Sequence, residues 1–228
     1  MAEPIWVCGD VVTEVRKLLA RSDLQYWPLM TSEQGPEINY FGHIQIETRE
    51  TRKGPDKFYM LARRFGWAVA LVITDKHQVL LNIQPKPGLV SASLEMPAGG
   101  IGKDPKRTKE DIIRLTCEQT LRETGYGEGR AYYLGFSIIE TGKMYDPAVE
   151  EPYEPGVGRG LKAHCVLIRE ARKIADPQLS ATDKIQSLFV DIPNLLTLVR
   201  ENVLVETSAV NCVALALLQG YISSAIAD

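Results

Sequence analysis

Residues 95–126 read EMPAGGIGKDPKRTKEDIIRLTCEQTLRETGY, and their reading decides the fold. Leu94 to Ala98 leads into a Gly99-Gly100 loop, and Lys109 to Thr124 then carries a helical pattern. Gly125 follows in the C′ position, where glycine takes the left-handed backbone that ends a helix. Upstream, Trp67 to Thr74 (WAVALVIT) is a dense β-branched and apolar run, the mark of a strand buried on both faces. Asp75-Lys76-His77 makes a turn, Gln78 to Ile83 returns as its partner, and Pro85, Pro87 and Gly88 force a loop.

Farther out, Gly9 to Arg21 places Val11, Val12, Val15, Leu18 and Leu19 at helical spacing, with Asp10 as a cap. Tyr26 to Pro36 reads as loop. His43 to Thr48 alternates like a half-buried strand, Arg49 to Lys57 reads as a turn, and Phe58 to Leu61 as the returning strand of a hairpin. Beyond the central helix, Ala131 to Glu140, Leu161 to Arg169 and Ser187 to Asp191 are strand-like, and Thr141 to Gly160 is a long Pro, Gly and Glu-rich loop. Ile192 to Arg200 and Thr207 to Ala225 read as helices. Strands, helix, strands, helices specify an α/β sandwich around a mixed sheet rather than a regular βαβ repeat.

The chain has 228 residues, 45% apolar and 24% charged, with a formal charge of −3. That length suits one α/β domain with an extension. The mildly acidic balance gives no electrostatic basis for nucleic-acid binding. No run approaches the 18 or so apolar residues of a membrane span. Cys8, Cys117, Cys165 and Cys212 are far apart, with no C-x-x-C pair, so they read as free thiols, three of them in apolar runs. Without a basic and then apolar leader, the expected location is cytoplasmic.

Glu95-Met96-Pro97-Ala98-Gly99 resembles the E-L-P-A-G segment of ADP-ribose pyrophosphatases in the Nudix family, and Glu123-Thr124-Gly125-Tyr126 resembles the E-x-G-U end of the Nudix box, where U is aliphatic. Glu110 matches the first glutamate of that box, and Lys103 to Thr108 holds an insertion relative to it. The resemblance covers roughly residues 60 to 200. It implies a Nudix-type α/β/α sandwich at 59–228, preceded by an N-terminal helix and hairpin extension at 1–58. It also implies a divalent cation, Mg²⁺ or Mn²⁺, held by glutamates on one face of the helix against a diphosphate. Magnesium takes oxygen ligands and commonly bridges protein carboxylates to substrate phosphates.

The middle of the box departs from the family. Its R-E becomes Glu118-Gln119, its aliphatic position becomes Thr120, and its E-E becomes Arg122-Glu123. Glu118 and Arg122 thus reproduce an i,i+4 ion pair with the signs exchanged. Carried onto this chain, the resemblance gives Glu123, Glu118, Gln119 and the Ala98 main chain as the metal set. Glu151 or Glu154, with Glu150 beside them, supplies a loop carboxylate that activates water. Glu140 is a weaker candidate for that role. Lys86, Gly99, Gly100, Arg122 and Arg159 form a substrate-binding set; His164, alternating with Cys165 on a strand, is read as a satisfied strand residue, with phosphate contact the alternative. Trp27, Tyr40 and Phe41 are aromatic candidates for base stacking or packing. Two functions fit. One is a metal-dependent hydrolase acting on the pyrophosphate of ADP-ribose or a sugar nucleotide. The other is a Nudix-fold module that binds a nucleotide-like ligand without turnover. The resemblance also implies a homodimer, since the N-terminal part often pairs with a second subunit in ADP-ribose pyrophosphatases, and the hairpin at residues 37–61 is compatible with it.

Overall fold

A computed structural model describes residues 4–7, 9–21, 42–51, 54–63, 66–86, 91–101, 107–145, 160–180 and 184–223. Among them, eleven strands and four α-helices follow in the order β1(Ile5–Trp6) α1(Val11–Leu19) β2(Gly42–Thr51) β3(Gly54–Arg63) β4(Trp67–Thr74) β5(Val79–Lys86) β6(Ser91–Glu95) β7(Ala98–Gly100) α2(Lys109–Thr124) β8(Tyr126–Gly127) β9(Arg130–Tyr145) β10(Gly160–Lys173) β11(Gln186–Val190) α3(Ile192–Arg200) α4(Thr207–Leu218). The main sheet runs β1-β11-β5-β4-β10-β9-β3-β2, with β6 on β5, β7 on β4 and β8 on β10. It is mixed: β4 pairs β10 in parallel, while β9 and β10 are antiparallel.

β4 divides two cores, which explains its unbroken apolar sequence. Val69, Leu71 and Ile73 face α1, α3 and α4, together with Val79, Leu81, Cys165, Leu167 and Leu188. Ala68, Ala70 and Val72 face α2, together with Leu80, Ile112, Val166, Ile168 and Phe189. Alternate residues of one strand therefore feed opposite layers, and the expected α/β/α sandwich results. The small Ala68 and Ala70 let α2 approach its face closely.

Local signals set the helix ends. Asp10 accepts from Thr13 N at the start of α1. Thr108 and Asp111 form a reciprocal capping box on α2, and Gly125 ends it at φ 79°. Asp191 and Glu206 cap α3 and α4.

Several extents differ from the sequence expectation. Arg49 to Lys57 is mostly strand, because β2 and β3 pair all the way to Thr51 and Gly54. β5 continues through Pro85 to Lys86, where β6 pairs with it, so the loop does not begin at Pro85. Gly99-Gly100 is not loop: Ala98–Gly100 pairs with Val69–Trp67 as β7. Thr141–Tyr145 extends β9, and α4 stops at Leu218, with Gly220 at φ 72° beyond it. The 58/59 boundary falls inside β3, which pairs with β9 in the common sheet. Tyr26 to Pro36 lies outside the described residues, as do Cys8, Trp27, Tyr40 and Phe41. Cys165 and Cys212 are buried free thiols and Cys117 is half-buried. No helix among the described residues is long and apolar enough to cross a membrane.

At Gly125 a Cβ would collide with the main-chain carbonyl of Ala175. Gly125→Ala should cost about 1–2 kcal/mol from the left-handed backbone alone and more from the collision. Urea unfolding of the variant beside wild type measures the loss. An unchanged midpoint would contradict the cap.

Candidate functional site

β7 and the middle of α2 meet at Gly99. A Cβ added there would stand 2.6 Å from Gln119 Nε2 and 2.8 Å from its Cδ, so the Gln119 side chain lies directly against the glycine. From that seat Gln119 Nε2 donates to Glu123 Oε1 at 2.6 Å, one helical turn on. The Glu123 side chain is only 9% exposed, and the Arg122 guanidinium stands 3.7 Å from the same oxygen. This is a nearly buried carboxylate in reach of a neutral donor and a cation.

Glu118 takes no part in this cluster. Its side chain is 60% exposed and bonds Arg114 at 2.9 Å, and Arg114 also reaches Asp111 at 3.3 Å. Glu118 therefore reaches back one turn to Arg114 instead of forward to Arg122. Five residues separate Glu118 from Glu123, which sets them on different sides of the helix. Glu110 is also exposed. The sheet-facing side of α2 is threonine-rich. Thr116 donates to the Ile112 carbonyl and Thr124 to the Thr120 carbonyl, while Thr120 sits buried in the position the box gives to an aliphatic residue.

A second polar group occupies the same sheet face. Leu80 and Phe189 point into the α2-side core. Two residues along their strands, Asn82 and Ser187 therefore share that face, and Glu95 is paired with Asn82. Glu95 is buried, accepting from Gln84 Nε2 at 2.6 Å and meeting Lys86 Nζ at 2.8 Å. Ser187 Oγ donates to Asn82 Oδ1 at 2.9 Å, while the buried Asn82 Nδ2 has no partner among the described residues. Lys86, chosen from sequence as a phosphate contact, is thus ion-paired to Glu95. This pair and Asn82 were not legible as a group, because only strand register brings them together.

His164 lies on the α2 side of β10, with Nδ1 2.9 Å from the Tyr133 hydroxyl. Burial, then the Lys162 and Arg107 charges, push its pKa down to about 4. Glu150, Glu151, Glu154 and Arg159 lie outside the described residues, as does the side chain of Glu140.

No three His, Cys, Asp or Glu side chains converge among the described residues. The junction offers one carboxylate, Glu123, beside an amide and the β7 main chain. That set does not fit an all-protein cage. It fits a magnesium ion that keeps waters and is completed by substrate phosphates.

Because the folded state holds His164 neutral below its ordinary pKa, the unfolded chain binds the extra proton between pH 6.5 and about 4. Stability from this residue is complete above pH 6.5, falls through that window and levels off below it. Denaturant unfolding at pH 7 and pH 5 should show a smaller acid loss for His164→Gln than for wild type. Equal losses would contradict the assignment.

No protein-family model matches the chain. No curated protein matches it in sequence. Solved structures do match. One, described as the crystal structure of an ADP compounds hydrolase, aligns with a TM-score of 0.60 over 87% of this chain and 95% of that one, at 13% identity. At that identity the likeness establishes the fold: a mixed α/β sandwich of the Nudix-like type.

Proposed function

We propose that the chain is a Nudix-type hydrolase that cleaves the pyrophosphate of a nucleoside diphosphate derivative, ADP-ribose or a sugar nucleotide being favoured, with Mg²⁺ or Mn²⁺. One observation carries the reading: a nearly buried Glu123 carboxylate, held by Gln119 at the point where α2 meets the glycine strand. The likeness to the ADP compounds hydrolase supports it at the level of fold.

In this reading Glu123 is the anionic ligand of the metal, and the Gln119 amide and the Ala98 carbonyl are its neutral neighbours. Gly99 and Gly100 let the diphosphate approach the main chain. Arg122 and Lys86 offset the charge of the phosphates. The metal, when bound with substrate, supplies Lewis-acid polarisation and a more acidic water. Glu151 or Glu154 would take the proton of the attacking water, and Arg159 would contact phosphate. Glu118, tied to Arg114, supports the helix.

Phosphate release from ADP-ribose and sugar nucleotides, coupled to a phosphatase, tests this. Glu123→Gln should lower turnover about a hundredfold or more, beyond the 10–100-fold typical of groups outside the ligand shell. Unimpaired turnover in the variant sinks the assignment.

The second reading, a module that binds without turnover, is favoured by Gln119 and Arg122 at positions where the box has metal-binding carboxylates, both in contact with Glu123. It predicts ADP-ribose binding that a chelator leaves unchanged, and no product.

A homodimer belongs to the same proposal. β2 ends the sheet with its outer edge unpaired among the described residues, a surface that favours strand or hairpin pairing. Light scattering at micromolar concentration should return twice the 25.4 kDa chain mass. A monomeric mass would count against it.

A further inference from the structure

Cys165 on β10 and Cys212 on α4 are buried free thiols on the face of the sheet away from α2. Their side chains are hydrogen-bonded to each other. Asn211, the neighbour of Cys212 on α4, donates from Nδ2 to Cys165 Sγ at 3.5 Å. The other polar contacts are main-chain. Cys165 Sγ lies 4.0 Å from the Ala163 carbonyl oxygen, and Cys212 Sγ lies 3.9 Å from that of Val166. Two adjacent residues of α4 thus converge on one sulfur of β10.

The close approach follows from side-chain size. α4 buries Ser208, Ala209, Cys212, Val213 and Ala216, all small, so the helix sits low on the sheet. Across from Cys165, β9 carries Gly135, and the β9–β10 register shifts just beyond that pair. The residue paired with Cys165 therefore has no side chain to crowd the thiols.

The two thiols are not equivalent. The hydrogen bond from Cys212, with that from Asn211, outweighs burial and pulls the Cys165 thiol below the ordinary cysteine range. Cys212 is pushed well above that range, because it gives its proton to Cys165 and is fully buried. One sulfur is prepared to carry negative charge while the other holds the proton. Zinc does not suit the pair: it takes about four ligands. No group of three His, Cys, Asp or Glu side chains forms among the described residues.

We propose that Cys165 and Cys212 form a redox pair that a hydroperoxide closes to a disulfide, tying α4 to β10. The Cys165 sulfur, as thiolate, attacks a peroxide oxygen. The O–O bond breaks, and hydroxide leaves with the proton that Cys165 gave up, as water. Cys165 is then a sulfenic acid. The Cys212 sulfur attacks the Cys165 sulfur, the S–O bond breaks, and that hydroxide leaves with the Cys212 proton as a second water. The thiols lose two electrons and the peroxide gains them. The bond needs the sulfurs about 2 Å apart, and the small residues under α4 oppose no bulky side chain to that inward shift. The pair lies on the opposite face from the Gly99–Glu123 junction, so the inference is independent of the hydrolase reading.

Hydrogen peroxide added to the folded full chain tests the proposal. Remaining thiols are alkylated under denaturing conditions, and the unreduced digest is mapped by mass spectrometry. Wild type should yield the Cys165 peptide linked to the Cys212 peptide, and dithiothreitol should release them. Cys117→Ser should form the same link. The closed form should melt about 5 °C or more above the reduced form, because a disulfide restricts the unfolded chain. Cys212→Ser should show no such shift. Asn211→Leu should slow closure about threefold or more, the loss expected for one hydrogen bond to the reacting sulfur. The mapping uses wild type alone, so it stands whether or not the variants fold. Both thiols still open to alkylation after peroxide, either one oxidised without the link, or a link to Cys8 or Cys117 instead, would overturn the proposal.

Discussion

Gly99 has no side chain, and that lets Gln119 of α2 lie against the main chain of β7. The candidate site depends on this contact. β7 is held in place by β4, and β4 by its burial between two cores. α2 is fixed at one end by its capping box and at the other by Gly125. With both elements anchored, the Gln119 amide has one place to go, and it orients Glu123. A larger residue at 99 would not disrupt the fold, because the far end of Gln119 is flexible. It would displace Gln119 and with it the carboxylate.

The charges on this face of the sheet are arranged unevenly. Glu123 lies beside Arg122, and Glu95 is paired with Lys86, so each buried acid has a cation near it. Buried pairs of this kind contribute little net stability, since desolvation offsets their attraction. In the proposed hydrolase reading, an incoming diphosphate would take up the cations and free the carboxylates. The Lys162 ammonium instead lies 4.8 Å from the centroid of the Phe136 ring.

Much of the fold was legible in sequence because local physics determined it. The apolar run of β4 left no alternative to a strand buried on both faces. Lys109–Thr124 was bounded by its own pattern and by Gly125. What sequence misplaced was set by distant partners. Pro85 and Gly99-Gly100 look like loop, but β6 and β4 draw them into the sheet. The pairing of Glu118 followed the same rule: Glu118 has cations four residues away on both sides, and the structure joins it to Arg114. Lys162 looks like an ordinary polar position between Leu161 and Ala163, and nothing local reveals its burial. The grouping of Asn82, Glu95 and Ser187 depends on the register of three strands.

The central claim is that the junction of β7 with α2 is where a nucleotide ligand binds. Backbone amide shifts recorded during titration with ADP-ribose and Mg²⁺ test it residue by residue. The account predicts the largest changes at Gly99, Gly100, Gln119 and Glu123, with the exposed Glu118 side of α2 little affected. Saturable binding with its changes confined to the α1, α3 and α4 face of the sheet would contradict it.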